Sequence, residues 1–186
     1  MTETKEKILN SARTLFTDYG YKKVSMDEIA SNAGVTKKTV YSYFKDKEEL
    51  VKYFINEQIT QMKTITDEID AKNISFVEKI NEMIITLLHY RKNTKFIINL
   101  AKEAEAMPKG KAKEFLEVLN NNMQKEIKEK LKVAIDEGYV KECDVDITAF
   151  IICKIYTALV FEWEGPIDQK EASENIIEIL KSGLIK

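Results

Sequence analysis

Two prolines, Pro108 and Pro166, and six glycines are the only strong interrupters of helix in this chain of 186 residues. Proline removes a backbone donor and clashes with the preceding turn, and glycine loses more conformational freedom on ordering than any other residue. A chain so poor in both has little with which to build hairpins. Its apolar residues, 44% of the total, are therefore expected to follow the 3.6-residue period of long helices. The expected fold class is all-α, with about nine helices.

The starts and stops of those helices are local signals. Ile8, Leu9, Ala12, Leu15, Phe16 and Tyr19 recur on one face from about Thr4 to Tyr19, and Gly20 supplies a stop. Ser25-Met26-Asp27-Glu28 is a capping box, in which the serine accepts from a free amide of the first turn while Glu28 reaches back. It opens a short helix carrying Ile29, Ala30 and Ala33, with Gly34 as the permissive turn and Thr36 as the next cap. A second box at Asp46-Lys47-Glu48-Glu49 starts a helix whose apolar stripe runs from Leu50 to Ile69. A third, Ser75 to Glu78, opens a helix through about Arg91, and a break at Asn93 precedes one ending near Ala106. After the loop at Pro108 and Gly110, long helices are expected over Ala112–Glu137, Asp144–Glu164 and Asp168–Gly183.

Thr36 to Lys47 is the stretch with chemistry to offer. On a helical wheel Val40 and Phe44 share the side to be buried, while Lys38, Thr39 and Ser42 share the opposite side with Tyr41 and Tyr43 at its edges. That face presents ammonium groups to phosphates, hydroxyls to phosphates or base edges, and phenols to the sugar-phosphate wall. Taken alone, the segment could equally be an ordinary solvated helix. Two short helices across a glycine turn, the second basic and hydroxyl-rich, form the helix-turn-helix pattern. Charge placement agrees: residues 1–47 hold nine Lys/Arg against six Asp/Glu, and the remainder 20 against 25. Neutralising phosphates is short-ranged, so an acidic whole does not exclude DNA.

Residues 5 to 54 resemble the tetracycline-repressor-like (TetR) family of bacterial transcription regulators. The matching residues are Ile8, Ala12, Phe16, Gly20, Tyr21, Ser25, Ile29, Ala30, Ala33-Gly34-Val35-Thr36, Thr39, Tyr41, Tyr43-Phe44, Lys47 and Leu50. One residue departs from the pattern, since Lys38 stands where members often carry glycine or another small residue. The resemblance implies a three-helix DNA-binding domain, here residues 1–47, followed by a larger helical effector-binding and dimerisation domain, here 48–186. It further implies that the last two long helices pair with those of a second copy. Independently, the Asp144–Glu164 segment is apolar nearly all round, and a helix-turn-helix protein usually needs two-fold symmetry to span two half-sites.

The expected DNA-facing set is Ser25, Thr36, Lys37, Lys38, Thr39, Tyr41, Tyr43 and Lys47, with Tyr41 and Lys47 as phosphate contacts and Ser25 chiefly a cap. His89, Tyr90, Asn99, Tyr156 and Trp163 could line an effector pocket, or could each be a satisfied core residue. Phe150, Ile151, Tyr156, Leu159, Ile176, Ile177 and Leu180 are the expected dimer face. Cys143 and Cys153 and a lone histidine specify neither a zinc site nor a disulfide framework, so no metal or cofactor is expected. No phosphate loop or nucleophile elbow is present and no catalytic residue is assigned. The expected partners are a double-stranded operator, an unidentified small-molecule effector and a second copy of the chain. With no signal peptide or span in view, a cytoplasmic location is expected. The resulting expectation is a ligand-responsive regulator, chiefly a repressor released by its effector. An activator of the same fold, a small helical enzyme and a protein-binding adaptor are the alternatives.

Overall fold

Most of the helices begin beside a side chain that satisfies free backbone groups of the first turn. In the computed structural model, which describes residues 2–90, 95–163 and 168–185, Thr2 accepts from the amide of Lys5 and starts α1 (Glu3–Tyr19). Ser25 and Glu28 form the reciprocal box at α2 (Met26–Asn32), and Thr36 accepts from the Thr39 amide at α3 (Lys37–Tyr43). Asp46 Oδ1 accepts from the Glu49 amide at 2.8 Å to open α4 (Lys47–Asp70). Glu49 in turn takes the Lys45 amide at 2.6 Å, one residue outside the cap position. Ser75 and Glu78 repeat the reciprocal box at α5 (Phe76–Tyr90).

The remaining helices are α6 (Lys95–Ala106), α7 (Lys111–Asp136), α8 (Val145–Thr157), capped by Asp144, and α9 (Gln169–Gly183), capped by Asp168. Among the described residues the chain is thus all-α with nine α-helices. One part differs from the expected single helix over Asp144–Glu164. Beyond Thr157 the backbone widens into a π turn, Ala158–Glu162, closed by the Trp163 amide on the Ala158 carbonyl at 2.9 Å. No helix among the described residues is long and apolar enough to cross a membrane.

The chain forms two compact units, residues 1–58 with 94–118, and residues 59–93 with 119–186. In the first, Ile8, Ala12 and Phe16 of α1 are wholly buried with Ile29 of α2, Val40 of α3 and Leu50 of α4. Aromatic rings join the pieces: Phe16 stacks on Phe96 with centroids 5.8 Å apart, and both meet Phe54 edge-on. Such pairs add about 0.5–1.5 kcal/mol each beyond the area they bury. In the second unit Leu131, Ala134, Val140 and Ala149 form a core lined by Ile127, Ile135, Ile152 and Leu184. Ser173 of α9 is fully buried and donates to Asn81 Oδ1 of α5. An antiparallel bridge between Val140 and Ile185, with the Lys141 amide on the Leu184 carbonyl at 2.9 Å, fastens the end of α9 beside the end of α7.

Candidate nucleic-acid interface

The turn between α2 and α3 is set by Gly34 at φ 66°, with the Val35 amide returning to the Ala30 carbonyl at 3.0 Å. Val40 and Phe44 then anchor α3 inward, at 0% and 3% exposure, which leaves Lys37, Lys38, Tyr41 and Ser42 exposed. Most polar groups of the expected DNA-facing set already have partners. Thr36 Oγ1 lies 2.8 Å from Thr39 Oγ1 and accepts from the Thr39 amide at 3.1 Å. Tyr43 accepts from the Thr2 hydroxyl at 3.2 Å, and Ser25 donates to Glu28 at 2.7 Å. The Lys37 ammonium lies 2.8 Å from Asp27 on α2, which raises its pKa above the usual lysine value, and sits over the Tyr41 ring. Lys38 is exposed, with neither hydrogen bond nor ion pair among the described residues.

Lys47, expected as a phosphate contact, is turned the other way. Its ammonium donates to the carbonyls of Tyr21 and Val24 at 2.7 Å and of Lys22 at 3.4 Å, and lies 4.4 Å from the Tyr21 ring centroid. Burial lowers its pKa despite the nearby Glu103 and Glu28. The same turn is held from its amide side by a residue that sequence reading missed. Both oxygens of Glu103, on α6, accept from the Lys22 amide at 3.3 and 3.2 Å. One turn earlier on α6, Asn99 donates to the Thr17 carbonyl at 2.6 Å. The end of α1 and the approach to α2 are therefore held by carbonyl bonds to α4 and by side-chain caps from α6.

Lys47→Met keeps the apolar stem and removes the ammonium, leaving the carbonyls to find other donors. It is expected to lower stability by about 2 kcal/mol in urea unfolding, and to weaken DNA binding in step. Loss of binding at unchanged stability would instead mark Lys47 as a phosphate contact alone. Glu28 is held below the usual carboxylate range by the Ser25 hydroxyl first and the Ser25 amide second. A depressed folded pKa means stability present above the unfolded value and lost as pH falls through the folded one. The first-turn amides of α2 are thus expected to lose hydrogen-exchange protection on acidification below about pH 4.5, and Glu28→Gln should flatten that dependence.

Comparison with known proteins fits the arrangement. Residues 8–54 match the model of the bacterial regulatory proteins of the tetR family. The HTH-type transcriptional regulator YhgD of Bacillus subtilis is 32% identical over 180 residues, which is 95% of this chain and 94% of the relative. The chain belongs to the TetR family of bacterial transcriptional regulators. Among solved structures, a TetR-family regulator from Syntrophomonas wolfei superposes with TM-score 0.82 at 21% identity, covering 97% of this chain and 94% of that one. SmeT, solved with triclosan, superposes at 0.78 and 16% identity, covering 100% and 93%. This TetR-family chain is accordingly a DNA-binding transcriptional regulator built on a helix-turn-helix head and a helical carboxy-terminal region.

The other expected residues scatter. Asn99 lies in the first unit and is committed to α1, whereas His89, Tyr156 and Trp163 lie in the second. His89 and Trp163 are exposed, Tyr156 is half-buried, and the side chain of Tyr90 lies outside the described residues. Of the expected dimer face, Phe150 and Ile151 are exposed and Tyr156, Leu159, Ile176 and Leu180 half-buried, but Ile177 is buried within its own subunit. Ile147, Ile155 and Ile179 are further apolar residues of α8 and α9 that stand exposed. Ile147, Phe150, Ile151 and Ile155 keep 59%, 51%, 50% and 39% of their surface uncovered. Their spacing of three or four residues was the signal for one continuous stripe on α8.

Proposed function

We propose that the protein is a homodimeric repressor whose residues 1–47 bind an operator and whose residues 48–186 bind an effector and the second subunit. In this reading the α3 helices of the two subunits enter successive major grooves of a near-palindromic site. Lys38, Tyr41 and the first turn of α3 make the principal contacts, with Ser25, Thr36, Lys37, Thr39 and Tyr43 supporting them, and Lys47 shapes the turn behind. The observation that carries it is an α3 buried by Val40 and Phe44 and capped by Thr36, with its basic outer face exposed. The uncovered α8 stripe supports the dimer, because large contiguous apolar patches usually mark interaction surfaces.

A hydrophobic effector is supported by α5, where Ile80, Met83, Ile84 and Leu87 remain half-buried on a helix with a strongly apolar sequence. SmeT's complex with triclosan makes that compound a sensible first probe. An effector acts only through differential affinity for the DNA-competent and incompetent states. A footprint on the protein's own upstream region tests the whole: salt-sensitive protection is expected there, lifted by an effector found among the compounds that raise the melting temperature. No protection there, or on any duplex selected from random sequence, overturns the DNA reading. Stimulated transcription from the protected promoter overturns repression in favour of activation.

A further inference from the structure

We propose that Lys38 is the residue that gives this regulator its base preference, by reading a guanine in each half-site, while neighbouring Lys37 adds affinity without selectivity. This rests on the reading above that α3 enters the major groove. The two lysines are adjacent in sequence yet differ in what holds them. Lys37 is drawn back to Asp27 of α2 at 2.8 Å and lies over Tyr41. In a helix-turn-helix the first helix crosses the phosphate backbone, so an ammonium tethered to it is placed beside phosphates. Lys38 lies roughly 100° around the helix, in the first turn of α3, the part of a recognition helix that meets base edges.

The hydrogen-bond partners of the expected set point the same way. Within the expected set, the Thr36, Thr39, Ser25, Tyr43, Lys37 and Lys47 polar groups are all engaged inside the chain. Only the Lys38 ammonium and the Tyr41 hydroxyl have no partner among the described residues. Tyr41 sits at the edge of the presented face, where the groove wall is sugar and phosphate. Lys38 can therefore meet a base without breaking a bond it already has.

Its chemistry then selects the base. An ammonium has three donors and no acceptor. Guanine shows two neighbouring acceptors in the major groove, N7 and O6. Adenine sets a donor beside its N7, cytosine offers a donor, and thymine offers a single O4 beside a methyl group. A lysine in this position favours guanine, and glutamine, which can pair with both N7 and N6, would favour adenine.

The test is selection of binding sites from a random duplex library by the full-length protein, its Lys38→Ala, Lys38→Gln and Lys37→Ala variants, followed by titrations at two salt concentrations. Wild type is expected to enrich a guanine at one position per half-site. Lys38→Ala should lose discrimination there by about tenfold or more with an unchanged melting temperature. Lys38→Gln should move the preference to adenine at that same position. Lys37→Ala should weaken all sites alike and shallow the salt dependence by about one unit. Failure of wild type to bind any duplex removes the groove reading itself. Sequence-selective wild type with the same selected base in Lys38→Ala overturns the assignment, as does relaxed selectivity in Lys37→Ala alone.

Discussion

Gly20→Ala is expected to lower the melting temperature by roughly 6–12 °C and to weaken operator binding with it. Gly20 ends α1 at φ 84° and ψ 159°, a region open almost only to glycine. Forcing an L side chain there costs about 1–3 kcal/mol. A Cβ at this position would also overlap Glu103 Oε1, so the carboxylate must leave the Lys22 amide it caps. The lost charge-assisted bond adds about 1–2 kcal/mol, for a total near 3 kcal/mol. Gly34 and Gly138 provide the control. Both have positive φ, 66° and 79°, but open space where a Cβ would stand. Alanine there should show the backbone strain alone, and a smaller shift. Glu103→Ala combined with Gly20→Ala should cost less than the two single losses added, because the overlap and the cap are one interaction. Simple additivity in thermal melts would mean that the two residues act separately.

Phe150→Lys is expected to convert the proposed dimer into a monomer at micromolar concentration and to lower operator affinity by at least about a hundredfold. Phe150 is half-exposed in the subunit, so the substitution leaves the fold intact. In the proposed interface the new ammonium would be buried among isoleucines with no acceptor, which costs several kcal/mol. Lys154, whose ammonium already lies 5.6 Å from the Phe150 ring, would add like-charge repulsion. Operator affinity falls because two linked heads bind two half-sites far better than one head binds one. Sedimentation reads the first effect and DNA titration the second. A dimer that persists in Phe150→Lys with unchanged melting would move the interface off this stripe.

Element by element, what could be read from sequence was what short-range chemistry determines. The Ser25–Glu28 and Ser75–Glu78 boxes lie within one turn of the helices they open, and both form as expected. Gly20 and Gly34 mark stops because the required φ is a property of the residue itself. The long-range pairings could not be read this way. Nothing near Lys47 says that its ammonium will reach back to carbonyls 26 and 23 positions earlier, because a phosphate and a carbonyl make the same demand on a lysine. Asn99 looked like a polar group for a pocket, yet its partner is Thr17, 82 residues away. Ile177 sits on a helix with apolar residues on more than one side, and only the packed structure tells which of them its own subunit covers. The π turn after Thr157 likewise carries no proline or glycine to announce it.

The caps that α6 places on α1 bear on how far the reading head can be treated as an interchangeable part. The first compact unit is discontinuous, taking residues 94–118 together with 1–58. Among the described residues the Thr17 carbonyl and the Lys22 amide receive side-chain partners only from Asn99 and Glu103. Transplanting α1 to α4 onto the body of another regulator would leave both groups to solvent, and Phe16 without the ring of Phe96 against it. A chimera that is to keep this protein's operator must carry α6 across with the head, or supply an amide and a carboxylate four residues apart on the helix that replaces it.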